Sequence, residues 1–497
     1  MKNAAGALLS SIKLDRQSRK SISVQLYMAL RDTILSGGLK AGDRLPATRT
    51  LAKEIGVSRT TVIDAIERLT ADGMLVSRVG SGTYVSDTLD RQRPTARITR
   101  SSDETINHAP ALSGTLRHAQ KSYAKRKWLP HTTKPFVTAM PALDAFPMAT
   151  WTRIYARHLR GNRNDVMGYG QPQGHEGLRS AIATHLNAVR GITCDPAQVF
   201  ITSGAQHAFS LIGQMLLNAG DRVWMENPGA SGARNALLSA GAELVPIAVD
   251  RSGLVVKDGL AKAPDFQLAF ITPSHQQPLG YVMSLERRFE LLEAVEQARA
   301  LIIEDDYDGE FYFGNAPQPA LRSIDSQGQV IYVGTFSKSL FPSLRLGFIL
   351  APERMVSAFN ELFESWVGGP PTATQAVVAD FMDEGHFATH IRMMRRLYKA
   401  RYDALIRAAT RLPDTVQIQE TSGGFHTWAR LDSRFDVDSL VKQARSRGVV
   451  LAPLGRYCLA PMEENGFVIG FGSASPDEIE RGMEILGSLV ADGALAA

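Results

Sequence analysis

The 497-residue chain is poor in cysteine, with only Cys194 and Cys458. One distant pair cannot form a disulfide framework, and neither cysteine has the spacing of a metal-binding motif. The chain also lacks an apolar run of the roughly 20 residues that span a bilayer, and its first residues contain too short an apolar stretch for a secretory signal. These absences predict a cytoplasmic protein that has no membrane partner, binds no metal and needs no disulfides.

The chain has little net charge, +5, but the charge is unevenly distributed. Residues 1–134 contain 23 Lys and Arg against 11 Asp and Glu, a net charge of +12, which leaves −7 on the remaining 363 residues. A basic first quarter favours a polyanion such as nucleic acid as the partner, although a run of charge is also often only a solvated surface. The length of the chain predicts two or three domains.

The N-terminal segment has the pattern of successive short helices. Apolar residues recur at helical spacing and stop at a glycine pair: Ile22, Leu26, Leu30, Ile34, then Gly37-Gly38. We expect one amphipathic helix there. Thr48 is expected to cap a short second helix that runs through Ile55, and Gly56 to form the turn that follows it.

A third helix is predicted to begin after Ser58, which can cap it. Its inward-facing apolar positions are Val62, Ile66 and Leu69. Its first turn leaves Arg59, Thr60 and Thr61 exposed, where a recognition helix presents side chains to base edges and phosphates. The short second helix, the turn at Gly56 and the capped third helix together predict a helix-turn-helix.

Two short strands, 74–78 and 83–86, are predicted to follow, joined by a tip of small residues that can enter a DNA groove. Three motifs then resemble the GntR-type winged helix: Leu45-Pro46-Ala47-Thr48-Arg49, Ser58-Arg59-Thr60-Thr61-Val62 and Gly80-Ser81-Gly82-Thr83-Tyr84-Val85. The resemblance implies double-stranded operator DNA as the partner, contacted by Arg49, Ser58, Arg59, Thr60, Thr61, Gly80 and Gly82. A winged helix used only for protein docking is the alternative.

The segment 88–134 is polar and basic and contains Pro94. It has little regular periodicity, which is typical of a linker. Its basic cluster around 121–127 is either a solvated tether or a set of phosphate contacts. The predicted domains are thus a winged helix over 12–87, a basic linker over 88–134 and a large domain over 135–497.

The large domain alternates apolar strands with helical stretches. The predicted strands are 199–202, 222–225, 268–271, 301–303, 330–333 and 346–349. Short apolar runs of this kind are typical of strands covered on both faces, so the alternation predicts an α/β sandwich.

Side chains at the ends of these strands match the parts of a pyridoxal phosphate (PLP) site. Lys338 follows one strand and can form a Schiff base with an aldehyde, and Arg345 can hold a phosphate. Asp305 ends another strand, where a carboxylate would keep a pyridine nitrogen protonated, and Tyr307 could bond the ring oxygen. The turn 202–207 opens a helix whose backbone amides suit a phosphate. The alternative is an ordinary strand-to-helix turn that binds no ligand.

Four motifs resemble a fold-type I aminotransferase: Tyr169-Gly170-Gln171-Pro172-Gln173-Gly174, Ser203-Gly204-Ala205-Gln206, Asp305-Asp306-Tyr307, and Ser337-Lys338 with Arg345. With the winged helix attached, the chain resembles the MocR subfamily of GntR regulators. The resemblance implies PLP as cofactor on Lys338, a smaller C-terminal α+β subdomain and a head-to-tail homodimer. It also implies cofactor contacts from Tyr169, Ser203, Gly204, Ala205, His275, Asp305, Tyr307, Thr335, Ser337 and Arg345. Of these, Tyr169 is expected to reach the phosphate in the neighbouring subunit.

Two positions depart from that pattern. Ala230 stands where the family usually has an aromatic residue stacked on the cofactor ring. Val468 stands where an arginine normally binds the carboxylate of an amino acid. This argues against an ordinary amino acid as the effector, unless Arg430 or Arg456 binds the carboxylate instead. The leading hypothesis is a regulator that senses an amine, an amino acid or PLP itself. The alternatives are a catalytically active aminotransferase with a DNA-binding domain and a dimerisation scaffold without cofactor.

Overall fold

The structure is a computed structural model, and it describes residues 12, 14–18, 20–78, 80–87, 113–124, 134–314, 319–366 and 368–492, without the side chain of residue 366. These residues form two compact units, one within 1–110 and the other within 111–497.

The first unit is a winged helix-turn-helix. Its elements are α1 (Ile22–Leu35), α2 (Thr48–Ile55), α3 (Arg59–Ala71), β1 (Leu75–Arg78) and β2 (Gly82–Val85), with β1 and β2 antiparallel. Ser58 caps α3 as predicted, because its side chain accepts a hydrogen bond from the amide of Thr61 at 3.1 Å. Thr48 does not cap α2: it is the first residue of that helix, and Ala47, which has no capping side chain, precedes it.

The core of this unit lies between the helices and the hairpin. Its fully buried side chains include Leu26, Leu30, Leu51, Val62, Ala65 and Leu69. The predicted inward positions of α1 and α3 therefore form one core. Gly56 ends α2 with a φ of +73°, a backbone conformation that glycine adopts without strain.

Part of the predicted linker is a helix of the second unit. Residues Gly114–Gln120 form α4, and the residues after it pack against the helix Ser231–Ser239. The hydroxyl groups of Tyr123 and Ser239 are 2.7 Å apart, and the amide of Ala124 donates to Oδ1 of Asn235 at 2.8 Å. The prediction of an irregular tether therefore does not hold for residues 113–124; the predicted linker residues 88–112 and 125–133 lie outside the described residues.

A large sheet forms the centre of the second unit. Its strands are β3 (Val199–Thr202), β4 (Arg222–Asn227), β5 (Glu243–Asp250), β6 (Gly253–Leu254), β7 (Leu268–Ile271), β8 (Leu301–Asp306), β9 (Val330–Thr335) and β10 (Gly347–Leu350). The spatial order is β3-β10-β9-β8-β7-β4-β5-β6. Neighbouring strands from β9 to β5 are parallel, whereas β10 is antiparallel to β3 and β9, and β6 to β5.

Helices cover both faces of this sheet. In chain order they are α5 (Met148–Leu159), α6 (Arg163–Met167), α7 (Glu176–Arg190), α8 (Ala205–Leu216), α9 (Ser231–Ser239), α10 (Val256–Lys262), α11 (Leu285–Ala298), α12 (Leu321–Ile324), α13 (Phe336–Ser339), α14 (Val356–Trp366) and α15 (Thr372–Asp383). The central strands are buried along nearly their whole length. The six predicted strands and the α/β sandwich are thereby confirmed.

A smaller α+β part completes the chain, as expected. Its strands β11 (Val416–Ile418), β12 (His426–Leu431), β13 (Ala452–Pro453) and β14 (Gly466–Gly470) form an antiparallel sheet in the order β11-β12-β14-β13. Its helices are α16 (His386–Ala409), α17 (Val437–Ser446) and α18 (Pro476–Ala491). Within the described residues, no helix has both the length and the apolar character needed to cross a membrane.

Candidate functional site

One cavity lies at the carboxyl ends of the parallel strands, next to the small sheet. The residues that line it are Thr138, Ala139, Gln277, Pro278, Tyr307, Lys338, Phe425, His426, Tyr457 and Val468. Lys338 lies in α13, which follows β9 directly, and its Nζ donates to the carbonyl of Ala139 at 2.7 Å. Open α/β sheets bind ligands at this edge, so the predicted lysine stands where the fold places a ligand.

Asp305 lies behind this cavity at the end of β8. Its carboxyl is buried, and its Oδ1 has no hydrogen-bond partner within the described residues. Burial raises the pKa of Asp305 well above its usual value, the charges of Asp306, Asp308 and Glu226 raise it further, and Lys338 opposes them. An unpaired buried carboxyl is costly. A protonated pyridine nitrogen would supply the hydrogen bond and the positive charge that this carboxyl lacks, so the residue fits PLP.

Tyr307 and His275 form a buried hydrogen-bonded pair. The phenol of Tyr307 donates to the carbonyl of His275 at 2.9 Å, and its oxygen lies 3.1 Å from Nδ1 of that histidine. The same Nδ1 lies 2.8 Å from Oδ2 of Asp308, and Nε2 lies 3.0 Å from Oγ1 of Thr421. Tyr307 lines the cavity, whereas His275 supports it from behind. Burial raises the pKa of Tyr307 well above its usual value, so the phenol stays a hydrogen-bond donor.

A second group of predicted residues gathers at the start of α8. Gly204 has a φ of +94° and precedes a helix whose N-terminus has no side-chain cap. Arg345 is close: a Cβ placed on Gly204 would lie 4.0 Å from Cζ of the guanidinium. The charge of Arg345 also lowers the pKa of His207, although burial lowers it more. Uncapped amides, a helix dipole and an arginine together form an anion site, which suits the phosphate of the cofactor.

Four of the remaining predicted cofactor residues lie within three positions of Gly204 or Lys338 along the chain. Ser203 and Ala205 flank Gly204, and Oγ1 of Thr335 accepts a hydrogen bond from the amide of Ser337 at 3.2 Å. Tyr169 differs from all of these, because its side chain is fully exposed on the single chain and lines no part of the cavity. An exposed tyrosine is consistent with the predicted contact to a neighbouring subunit, which stays a prediction.

The sequence patterns missed several residues of the cavity. Gln277, His426 and Tyr457 line it and were not predicted. Gln277 lies two residues after the predicted His275, so the sequence pattern identified the loop but not this half-buried residue of it. His426 opens β12 after Gly423-Gly424, and only a structure brings that strand to Lys338.

The two departures from the family pattern have different surroundings. Val468 lines the cavity with Lys338, whereas Arg430, on β12, is exposed and Arg456 lies outside the lining. Ala230 is buried at the start of α9. The amide of the neighbouring Gly229 donates to the carbonyl of Tyr457 at 3.0 Å, so the backbone of this cavity residue lies next to the turn that precedes Ala230.

The first unit carries a candidate DNA interface. Arg49, Ser58, Arg59 and Thr60 are exposed, with Thr61 partly buried at the same helix start. Nε of Arg59 lies 3.4 Å from Oγ1 of Thr48, which connects the starts of α2 and α3. The predicted recognition turn is thus presented to solvent, and its arginine reaches the start of α2.

The wing adds two arginines that the sequence patterns did not single out. Gly80 and Gly82 have φ of +75° and +114°, and a Cβ on Gly82 would lie 2.9 Å from Nε of Arg44. The guanidinium carbon of Arg78 lies 5.0 Å from the ring centre of Tyr84. Glycine at position 82 lets Arg44 pack against the wing, and both exposed arginines are further candidates for phosphate contacts.

Comparison with known families agrees with both units. The pattern described as "Aminotransferase class I and II" matches residues 143–477, and that described as "Bacterial regulatory proteins, gntR family" matches residues 22–85. The "Probable rhizopine catabolism regulatory protein MocR" of Rhizobium meliloti is 40% identical over 476 residues, which cover 96% of this chain and 95% of that protein. The chain belongs to the MocR subfamily of GntR-type transcriptional regulators.

Other relatives of this MocR-type chain support the same assignment. The "HTH-type transcriptional regulator TauR" of Rhodobacter capsulatus is 33% identical, over 93% of this chain and 95% of that protein. The crystal structure of LysN, an alpha-aminoadipate aminotransferase from Thermus thermophilus, matches with a TM-score of 0.67 at 26% identity, over 76% of this chain and 95% of that one. That enzyme was crystallised as a complex with N-(5'-phosphopyridoxyl)-L-leucine. Aminotransferases of this class depend on PLP, and GntR-type regulators bind DNA operators.

Proposed function

We propose that this protein is a DNA-binding transcriptional regulator in which PLP, bound through Lys338, senses an amine or amino acid effector, or PLP itself, and thereby alters promoter binding. The regulator acts as a head-to-tail homodimer in the cytoplasm. The observation that carries the proposal is the unpaired Oδ1 of Asp305 behind Lys338, in a chain that also carries a recognition helix.

The residues of the cavity have separate tasks in this function. Lys338 would hold the cofactor through its amine, and Arg345 would pair with the phosphate. The carboxyl of Asp305 would keep the pyridine nitrogen protonated. The phenol of Tyr307, which donates to the carbonyl of His275 in this structure, would turn to donate to the ring oxygen. PLP, when bound, supplies an aldehyde that captures primary amines.

The surroundings of Lys338 favour sensing over catalytic turnover. Repeated transamination requires the substrate carboxylate to be held in one orientation. Val468 lines the cavity where an arginine would bind that carboxylate. An aminotransferase that carries a DNA-binding domain is therefore the second candidate.

Ala230 supports PLP itself as one possible signal. An alanine at this position removes one face of ring stacking, worth about 1 kcal/mol of cofactor affinity. A protein that must release PLP when its supply falls benefits from weaker binding. If PLP is the signal, adding PLP alone should change the affinity for the operator.

One experiment tests the proposal at the residue on which it depends. Purified protein is mixed with PLP, its visible spectrum is recorded, and the bound cofactor is trapped with borohydride and located by peptide mass. We expect a visible band and a modification at Lys338, both lost in Lys338→Ala. A protein that stays colourless and unmodified with excess PLP would refute the proposal, and sustained turnover with amino donors would favour the aminotransferase.

A further inference from the structure

The described residues that line the cavity beside Lys338 provide no anchor for an anionic group. Among the described residues that line it, none is an arginine and the only cation is Lys338, whose amine the proposed function assigns to the cofactor. The other lining side chains are neutral. Val468 itself is buried, with 1% of its surface exposed, and packs with Trp428 and Tyr457. A carboxylate moved into such surroundings loses its hydration without gaining a cation, which is strongly unfavourable.

One residue that lines the same cavity has a hydrogen-bond acceptor without a partner among the described residues. His426 is buried, and one of its ring nitrogens bonds the backbone of Pro278. Its Nε2 has no partner within the described residues, so Nδ1 carries the proton that is donated to the carbonyl. Burial lowers the pKa of His426 well below its usual value, and His275 and Lys338 lower it further. The ring is therefore neutral, and Nε2 needs a donor.

We infer that the effector captured at this cavity is a primary amine that has no carboxylate and carries a hydroxyl group, which donates to Nε2 of His426. The inference rests on the proposed function, since it names the chemical class of the molecule sensed there. Gln277 and the hydroxyl of Tyr457 line the same space and provide further neutral partners for such a molecule. His426 acts as a specificity residue and Val468 as the position that rejects amino acids.

Two matched pairs of amines test this chemistry on the PLP-loaded, full-length protein. L-serine and ethanolamine differ by the carboxylate, as do L-alanine and ethylamine; ethanolamine and ethylamine differ by the hydroxyl. Each is titrated at fixed pH, and the change in the visible band is plotted against the concentration of free base. We expect ethanolamine to half-saturate at concentrations roughly 5- to 150-fold below those of both L-serine and ethylamine.

The variant His426→Phe separates the two halves of the inference. It keeps an aromatic ring but removes the acceptor, so ethanolamine and ethylamine should become equivalent while L-serine stays weak. His426→Gln keeps an acceptor and should restore part of the preference. Equal response of the wild-type protein to L-serine and ethanolamine, or an unchanged hydroxyl preference in His426→Phe, would overturn the inference. Failure of the proposed function is distinguishable, because the wild-type protein would then show no visible band before any amine is added.

A separate set of contacts connects this cavity to residues 113–124, the first described segment of the second unit. Arg234, on α9, donates from Nε and Nη2 to the carbonyl of Ser122 at 2.9 and 2.6 Å, and from Nη1 to the carbonyl of Cys458 at 2.6 Å. Cys458 directly follows the cavity residue Tyr457. Asn235 holds both backbone groups of Ala124, at 2.8 and 2.9 Å.

We propose that Arg234 is a positioning residue that transmits occupancy of the cavity to residues 113–124, the described segment nearest in sequence to the DNA-binding unit. A shift of the loop that carries Tyr457 changes the position of the Cys458 carbonyl. The guanidinium of Arg234 bonds both that carbonyl and the carbonyl of Ser122. When the Cys458 carbonyl moves, residues 113–124 must therefore move with it, or one of these hydrogen bonds breaks. The regulation in the proposed function then passes through this side chain.

Hydrogen–deuterium exchange of the full-length protein tests the proposal without an operator. Loading PLP should change the exchange of residues 113–124 in the wild-type protein, and Arg234→Gln should lose that change while its PLP dissociation constant stays within about twofold. Arg222→Gln, which removes a surface ion pair with Asp265, is the matched control and should behave as wild type. No change on loading in the wild-type protein, or an unaltered response in Arg234→Gln, would overturn the proposal. Loss of PLP binding in Arg234→Gln would show a merely structural role.

Discussion

Asp305→Asn tests whether this buried carboxyl is built for a positively charged partner. In the cofactor-free protein the carboxyl is surrounded by other acids and has an unpaired oxygen, so its ionisation opposes folding. A protonated pyridine nitrogen removes that conflict. The asparagine amide is nearly the same size and cannot ionise. The variant therefore avoids the cost of ionising a buried carboxyl in the cofactor-free protein, but it also loses the ion pair with the pyridine nitrogen when PLP is bound.

The sign of the effect follows from the direction of the pKa shift. The pKa of Asp305 is raised in the folded state, so below its usual value of 3.8 the carboxyl is protonated in both states and costs nothing. At higher pH the unfolded state ionises first, and the free energy of unfolding falls by about 1.4 kcal/mol per pH unit until the folded pKa is passed. In Asp305→Asn, burial of an unpaired amide lowers the free energy of unfolding by about 1–3 kcal/mol at every pH. The stability of the variant relative to wild type should therefore rise with pH.

The assay is urea unfolding at pH 5 to 8, with and without saturating PLP. Without PLP, the free energy of unfolding of the variant should increase relative to that of wild type as the pH rises. Saturating PLP should stabilise the wild-type protein more than the variant. Asp325→Asn is a matched control, since this buried carboxylate accepts the amides of Gln329 and Val330 away from the cavity. It should lower stability equally in both conditions. Equal stabilisation of wild type and Asp305→Asn by PLP would refute the reasoning.

Three further substitutions probe the two proposed sites. Lys338→Ala should abolish the visible PLP band and leave operator affinity of the cofactor-free protein unchanged in a gel-shift assay, because the winged helix has its own core; a retained band would contradict this. Arg345→Leu should raise the PLP dissociation constant roughly 10- to 150-fold in fluorescence titrations by removing a charge-assisted phosphate contact, and an unchanged constant would place the phosphate elsewhere. Arg59→Ala should cost about 1–3 kcal/mol of operator binding or reduce the salt slope by about 1, whereas Arg68→Ala, paired with Asp64 at the other end of α3, should change neither.

The sequence predicted the strands and helices that carry a strong local signal. The winged helix followed from the spacing of Leu26, Leu30 and Ile34 and from the cap at Ser58. β5 was not predicted because Pro246 interrupts it, and proline argues against a strand inside a sheet. The structure accommodates that proline next to an edge, since the outer neighbour β6 pairs only with Val249 and Asp250.

Parts of the candidate site could be predicted because they follow strands directly. Asp305 lies at the end of β8 and Lys338 follows β9, its parallel neighbour, so their meeting follows from topology. His426 and Tyr457 reach the same cavity through the packing of the small sheet, which no local pattern encodes. The docking of residues 113–124 was missed for the same reason: it depends on Arg234 and Asn235, more than a hundred positions away.

The central claim is that chemistry at Lys338 controls DNA binding, and operator affinity tests it most directly. An operator is first selected by the protein itself from random duplexes, and its dissociation constant is then measured at fixed salt with and without PLP and ethanolamine. The account predicts that these small molecules change the dissociation constant of the wild-type protein and leave that of Lys338→Ala unchanged. The same change in both proteins, or none in the wild type, would contradict it.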